Sequence, residues 1–559
     1  MAKRKREAPE SAAAAKALKS RKDDVASTPK QPAPQDIAIR KRREPAVTRK
    51  AAAEKATQVN GDAANGDSPP DTISIQVVTG SYERVLHGFA ASIPGSLLAA
   101  EHASTSEAER PKVDFTDTFL FNAHASAIRC MAISPLSDET SKVTLATGST
   151  DERINLYSIS TAPPPASSKL QPKLPSLSGG SITENPKNKE LGSLLHHSSN
   201  ITALYFPTRS KLLSSAEDST IAIVRTRDWT ALSTIKAPIP KPQGRPSGDT
   251  AGPGEVPSGI NDFAVHPSMK LMLSVGKGEK CMRLWNLVTG KKAGVLNFDR
   301  SILAAVGEGR FSSGEARRVI WDPEGEEFAL GFDRALVVFT IDSKPKAKIA
   351  PFPRSKIHQM AYLPETLQQP NILLVSTEDG RVLVYDTSAT DASSSTDQQQ
   401  QHNAFAKSKQ QDTTIPPAKL IAQIGGPAAG ITSRIKDFEL VPLSPHSCML
   451  VTASSDGTVR LWALHTSELD TSNQQQQQQQ QQKDSVPAAA TTAAKGFSAP
   501  SIGSLLASYS TGTRITCLKA FPLTGDPDDA DDDAVLLQRR KQEAESSSDD
   551  DDDDDDDEK

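Results

Sequence analysis

The chain has 559 residues with 36% hydrophobic content, 39 prolines and 32 glycines, too polar for a wholly packed protein, so long segments are expected to be unfolded. A formal net charge of -5 conceals strong polarity: residues 1–60 carry about 16 Lys/Arg against 7 acidic groups, and residues 524–559 about 18 acidic groups against 4 basic ones. The near-neutral middle argues against a broad nucleic-acid platform, and no apolar run approaches a membrane span, so the chain reads as soluble and intracellular with no membrane contact.

Residues 1–72 read as a disordered basic tail. Lys3, Arg4, Lys5 and Arg6, then Arg40, Lys41, Arg42 and Arg43, form two basic clusters that are nuclear-import candidates or phosphate contacts, against the plainer reading of a solvated arm. No apolar signal-peptide core follows Met1–Arg6.

Order is expected from Ile73. Ile75–Val78, Arg84–Phe89 and Phe115–Phe121 read as strands, with residues 90–112 as a loop. His124 then opens a unit whose first strand is Ala127–Ile133, ending at Pro135. From here one pattern recurs: an acidic residue, apolar residues three and five positions on, and a bulky or aromatic one at the sixth. It fits Asp151 (to Tyr157), Asp218 (to Val224), Glu279 (to Trp285), Asp333 (to Phe339), Asp379 (to Tyr385) and Asp456 (to Trp462), with a weaker copy from Glu83 to Phe89. The clearest copy is Leu450–Trp462. Leu450–Ala453 is apolar and β-prone, Asp456-Gly457 supplies a tight turn, and Val459 and Leu461 alternate with Thr458 and Arg460. One such hairpin cannot bury its apolar face alone, but a repeat can.

Opening strands precede the later copies at Asn200–Phe206, Gly259–Val265, Arg318–Trp321, Ile357–Tyr362 and Ile435–Leu440. Several end in proline (Pro207, Pro267, Pro323, Pro364), as strand exits would. Fourth strands are expected at Leu191–Leu195, Trp229–Ile235, Lys292–Asn297, Ala347–Ala350, Lys419–Ile424 and Ile502–Ser508. Successive acids lie about 46 to 77 residues apart, beyond the roughly 40–45 of an uninterrupted four-strand propeller unit, so the surplus predicts loop insertions at 160–190, 236–257, 387–416 and 465–498. The last holds the Gln474–Gln482 tract, which reads as a spacer.

The two ends need each other. The first unit has three strands and no opening strand; Arg514–Phe521 is an opening strand with no hairpin after it. Together they complete one blade and close a seven-bladed ring over residues 73–523, hiding its sheet edges. Residues 524–559 form an acidic tail, in which Ser546–Ser548 beside Asp549–Glu558 would suit an acid-directed kinase.

No P-loop, G-x-S-x-G, zinc or kinase signature is present, so no enzyme, cofactor or metal is expected. Cys130, Cys281, Cys448 and Cys517 are scattered on predicted strands and read as small buried hydrophobes in a reducing compartment. The recurrent acids read as turn residues that accept local backbone N–H bonds.

These hairpins, with Trp285 and Trp462 at their ends, resemble WD40 repeats, which implies an all-β, seven-bladed WD40-type propeller with disordered charged tails and loop insertions. The resemblance implies blade anchors at Glu83, His124, Asp151, Asp218, Glu279, Trp285, Asp333, Asp379, Asp456 and Trp462. It pairs Asp151 with His124, and gives His196 or His197 the same part in the next blade. The segment Val77–Phe89 is more distinctive. With Phe121–His124 and Gly148–Ile154, it resembles the PAK-interacting, Mak-type WD-repeat family of large ribosomal subunit assembly factors. That resemblance implies a non-enzymatic scaffold of the nucleus and nucleolus, a monomer within a large complex. It would act in large (60S) subunit assembly and rRNA maturation. Implied partners are ribosome-assembly factors and a ribosomal-protein-like placeholder in pre-60S particles, with precursor rRNA contact through the basic tail. The alternatives are an adaptor that binds and inhibits a p21-activated-type protein kinase, or a WD adaptor of another nuclear complex such as one on chromatin.

Overall fold

The computed structural model describes residues 72–98, 111–137, 140–163, 174–175, 181–182, 185, 187–239, 258–309, 312–390, 415–469 and 499–524. Their strands make seven four-stranded antiparallel sheets and one small two-stranded pair. From the axis outward, blade one is Ile515–Pro522, Thr72–Ser81, Val85–Pro94 and Asp114–Asn122. Blade two is Ile128–Ile133, Lys142–Ser149, Ile154–Ser160 and Lys189–Leu194, and blade three is Ile201–Thr208, Lys211–Ala216, Thr220–Arg225 and Thr230–Lys236. Blade four is Ile260–Val265, Leu271–Gly276, Cys281–Asn286 and Lys291–Asn297; blade five is Arg318–Trp321, Glu327–Gly331, Leu336–Thr340 and Pro345–Ile349. Blade six is Ile357–Tyr362, Ile372–Thr377, Arg381–Thr390 and Ala418–Gly425, and blade seven is Ile435–Ser444, Ser447–Ser454, Thr458–His465 and Ser504–Ser510. The chain is thus an all-β, seven-bladed propeller in which the two ends of the ordered chain share one blade.

Closure is visible in both register and packing. Ile515–Pro522 pairs along Ile75–Ser81, and Leu523 donates its N–H to the Ser74 carbonyl at 2.9 Å. The core is a set of seven apolar clusters, each filling the gap between two neighbouring blades. Blade seven gives Met449, Val451 and Leu461 to the cluster that receives Ile75, Val77 and Phe89 of blade one. Without that seventh cluster two apolar sheet faces would meet water.

The hairpins follow from local chemistry. Leu450 pairs with Trp462, Val451 with Leu461 and Ala453 with Val459, so the alternating residues point alternately to the two neighbouring blades. In five of the seven turns the residue after the acid passes through the left-handed region: Gly380 and Gly457 do so without a side chain, Arg84, Glu152 and Ser219 as non-glycine residues, while in blade four it is Gly278, before Glu279, that does so.

A second regularity shapes the axis. In six blades the inner strand carries a register shift just after its opening isoleucine, beside Arg129, Thr202, Asn261, His358, Lys436 and Thr516. Such bulges re-aim a side chain at a strand end. Blade five runs in unbroken register from Arg318.

Several expectations are corrected. The second strand of blade one runs to Pro94 rather than Phe89, because Ala91 and Ile93 continue its buried face; Gly95–Leu97 follows as a short 3-10 turn. Alanines carry too little apolar signal for that extension to be read from sequence. Pro207 lies inside the strand Ile201–Thr208, at a register irregularity, rather than beyond its end. Within the span expected as the first insertion, Leu174–Pro175 pairs with Ser181–Ile182. An unexpected helix, Arg300–Ala305, joins blades four and five, its N-terminus capped by Asp299, which accepts from the Ile302 N–H at 2.9 Å. The basic clusters Lys3–Arg6 and Arg40–Arg43, the Gln tract and the acidic run Asp549–Glu558 lie outside the described residues.

Candidate functional site

The turn acids sit at one end of the ring, where each hairpin turn meets the loop that leads into an inner strand. In blade two, His124 Nδ1 lies 3.1 Å from Asp151 and its Nε2 2.8 Å from the Thr147 hydroxyl. Asp151 also accepts the backbone N–H groups of Ala125 at 2.9 Å and Arg153 at 3.1 Å. Burial holds His124 below its ordinary range, although Asp151 pulls the other way. The imidazole is therefore neutral, donating from Nδ1 and accepting at Nε2. Blade three repeats the device: His197 Nδ1 lies 3.1 Å from Asp218, and its Nε2 lies 2.8 Å from the Ser214 hydroxyl. His196 reaches Ser214 as well, at 2.9 Å, but not Asp218.

The other acids find different partners. Glu279 is paired with Arg283 four residues on in its own hairpin, and Asp379 with Arg381, whose Nε lies 2.9 Å away. Asp333 has Lys356 at 3.1 Å, with Arg317 and Arg334 more distant. Glu83 accepts the Arg514 N–H at 2.9 Å across the closing seam, and Asp456 accepts the Thr458 N–H at 2.9 Å. Both tryptophans donate to a hydroxyl of the neighbouring strand: Trp285 to Ser274 at 2.8 Å and Trp462 to Thr452 at 3.3 Å. Every one of these acids and rings is thus engaged inside the protein; the Asp–His–hydroxyl arrays of blades two and three have the contacts of an acid–base–nucleophile set, but the Thr147 and Ser214 side chains are 0% exposed, so these arrays brace the turns. Among the described residues no group of three His, Cys, Asp or Glu side chains is placed to hold a metal ion.

Chemistry open to a partner lies further in, at the mouth of the central channel. His358 is pushed down to about 4 by burial and by four nearby cations, Lys436, Lys356, Arg434 and Arg318. Lys436 is itself lowered by burial, then by Arg434, Arg514 and Lys356, with Glu378 opposing them. The Cys130 thiol, pushed up to about 12 by burial, feels Arg318 and Arg129 from blades five and two. Arg318, Lys356, Arg434 and Lys436, at the starts of the inner strands of blades five, six and seven, thus act on one histidine, Arg514 at the start of blade one acts on Lys436, and Arg129 occupies the corresponding position of blade two.

Their compensation is uneven. Arg318 has Asp262 at 3.9 Å, Lys356 has Asp333, and Arg434 has Glu378 at 3.5 Å. No carboxylate among the described residues pairs with Lys436, Arg129 or Arg514; the Arg514 guanidinium instead lies over the Tyr82 ring at 5.5 Å. The buried carboxylates of this layer are occupied by structure. Asp437 accepts the Leu518 N–H at 2.8 Å, the Phe438 N–H at 2.9 Å and the Gln359 amide at 2.8 Å, tying blades six, seven and one. Asp262 accepts the Val319 N–H at 3.1 Å and so ties blade four to blade five. Along the strands from the mouth, Lys519 and Glu439 pair at 2.7 Å.

Sequence reasoning passed over this mouth. Its signal was a basic residue or histidine directly after the isoleucine of an opening strand, as in Ile128-Arg129, Ile357-His358 and Ile435-Lys436. Nothing in one repeat says that these positions face each other.

The family described as WD domain, G-beta repeat, matches residues 115–158, 188–224 and 427–463. The first two matches begin on the outer strand of one blade and end on the third strand of the next, so the sequence repeat is offset from the blade. The p21-activated protein kinase-interacting protein 1-like of Danio rerio is 25% identical over 397 residues, covering 71% of this chain and 75% of that protein. Its Xenopus laevis namesake is 23% identical over 452 residues, 81% of this chain and 83% of its own. Protein MAK11 of Saccharomyces cerevisiae is 26% identical over 416 residues, 71% of this chain and 80% of its own. With the seven-bladed ring and its shared closing blade, these matches show a WD40-repeat propeller that is similar over most of its length to the p21-activated protein kinase-interacting proteins and to MAK11.

Proposed function

We propose that the protein is a non-enzymatic scaffold in nucleolar assembly of the large ribosomal subunit and maturation of its rRNA. The observation that carries the reading is that the likeness to MAK11 spans 71% of this chain, most of the propeller, rather than one repeat. The Val77–Phe89 segment forms two strands of the closing blade, where the family resemblance is most specific. The geometry supports docking rather than turnover: a ring braced by seven interblade cores presents a cationic mouth, and its conspicuous acids are consumed by turns. In this reading the turn acids, with His124, Trp285 and Trp462, are structural anchors. Residues 73–523 form the platform, and residues 1–72 and 524–559 are charged tails. The clusters Lys3–Arg6 and Arg40–Arg43 serve nuclear import or precursor rRNA, while assembly factors and a ribosomal-protein-like placeholder occupy the platform.

The test is depletion of the protein followed by profiling of ribosomal subunits. The large-to-small subunit ratio should fall; an unchanged ratio refutes the assignment. A second reading, an adaptor for a p21-activated-type kinase, is favoured by the names of the Danio rerio relative and of the Shk1 kinase-binding protein 15 of Schizosaccharomyces pombe, 26% identical over 256 residues. Retention of such a kinase by the purified full chain, with a normal subunit ratio in depleted cells, would favour it over ribosome assembly.

A further inference from the structure

The cations at the channel mouth are surrounded by charge of the opposite sign. Across the seven hairpin turns Glu217, Glu279, Asp333, Glu378 and Asp379 are paired with Lys277, Arg283, Lys356, Arg434 and Arg381, whereas Glu83, Asp151, Glu152, Asp218 and Asp456 have no lysine or arginine at ion-pair distance among the described residues. Backbone hydrogen bonds hold these turns beside the starts of the inner strands: Thr150 donates to Ala127, Glu378 to Lys356 and Ser455 to Arg434. Cations without a carboxylate partner thus stand at the axis, and acids without a cation partner stand in the turns of blades one, two, three and seven.

We propose that this mouth docks one or two carboxylates carried at the tip of a partner protein's loop or chain end, with basic or neutral residues on either side of them. The proposal rests on the scaffold reading above and names the chemistry of its partner. Three features select that ligand. Lys436 is half-buried among other cations with no carboxylate of its own among the described residues, so an incoming anion relieves repulsion as well as gaining attraction. Arg129 is exposed at the start of its inner strand, and Arg514, stacked over Tyr82, is exposed at the start of another. The acidic turns set the flanks: an extended polyanion would have to cross carboxylates on leaving the axis, whereas lysines flanking an acidic tip would meet them favourably. The mouth therefore discriminates against an RNA backbone and against a long acidic run, and fits an acidic tip on an otherwise basic protein.

The test uses the full-length protein and fluorescent probes in an anisotropy titration at low salt. The main probe is an eleven-residue peptide with two adjacent glutamates flanked by lysines and glycines; the others are its glutamine counterpart, deca-aspartate and decauridylate. The glutamate peptide should bind at least about tenfold more tightly than each of the others, and added salt should weaken it. Lys436→Gln and Arg129→Gln should each lower its affinity several-fold without lowering the melting temperature, since neither removes an ion pair. Equal binding of glutamate and glutamine peptides, tighter binding of deca-aspartate or decauridylate, or wild-type affinity in both variants overturns the proposal. The two readings fail separately. Absent peptide binding beside a reduced large-subunit ratio in depleted cells removes the mouth assignment alone. Binding that depends on Lys436 beside a normal ratio removes the ribosome reading and keeps the mouth.

Discussion

Deleting residues 510–523 removes the inner strand of blade one, and the structure says how much that costs. Ile515 and Leu518 are 0% exposed, Phe521 3% and Leu523 8%. At roughly 1.5–3 kcal/mol for each fully buried side chain, these four contribute about 6–12 kcal/mol, less some tens of per cent for apolar contact already present in the unfolded chain. They belong to two interblade cores at once, with blade seven on one side and blade two on the other. The deletion also strips the partner of Ile75–Ser81, leaving a central strand as a bare edge, and unpairs Asp437 from the Leu518 N–H. Total domain stability is about 5–15 kcal/mol, so the ring should not survive as one cooperative unit. A thermal melt with limited proteolysis reads this directly. The truncated protein should melt more than about 10 °C lower, or without a sharp transition, and be cleaved within blade one. A melt superimposable on that of the full chain would refute the closure argument.

Other perturbations probe smaller pieces. Asp437→Ala leaves two N–H groups and the Gln359 amide without their acceptor, and should cost about 2–4 kcal/mol in a denaturant titration, whereas an exposed carboxylate would cost almost nothing. Gly457→Ala forces a Cβ to 2.6 Å from the Thr513 carbonyl oxygen at a φ of +88°, so a loss of at least about 1–3 kcal/mol is expected; unchanged stability would mean that the turn re-forms at no cost. His358, held down to about 4 by burial and its cationic neighbours, binds its proton more weakly folded than unfolded, where 6.5 is ordinary. Its contribution is therefore fully present above about pH 6.5 and is lost as pH falls through about 4, amounting to roughly 2–3 kcal/mol. His358→Gln should flatten that part of the acid limb, and identical stability–pH curves for variant and wild type would contradict it.

Much of the architecture is legible in one dimension because β-hairpins are local. Alternation over Leu450–Ala453 and Val459–Leu461 specifies which residues face which blade, and an acid before a left-handed turn residue specifies where the chain reverses. Counting strands at the two ends was enough to require a shared blade. What escaped was signalled weakly: Ala91 and Ile93 extend a strand with little apolar contrast, and one aspartate, Asp299, marks the cap of the helix between blades four and five.

The partners of the acids belong to the tertiary structure. The same turn position is held by a histidine from the preceding loop at Asp151 and Asp218, by an arginine of the same hairpin at Glu279 and Asp379, and by a cation from the next blade at Asp333. Spacing alone does not choose among these, because each satisfies a carboxylate equally well. The channel mouth is a stronger case. Arg129, Arg318, His358, Lys436 and Arg514 are ordinary solitary cations or imidazoles along the chain, and most open a strand that carries no other sign of function. They act on one another only because seven inner strands close around one axis, which brings like charges from different blades together. Sequence by itself determined the blades, their number and how the ends join. Only the closed ring decided that the cations would meet at its centre and the acids around them, because charge at the axis is the sum of contributions that no single repeat contains.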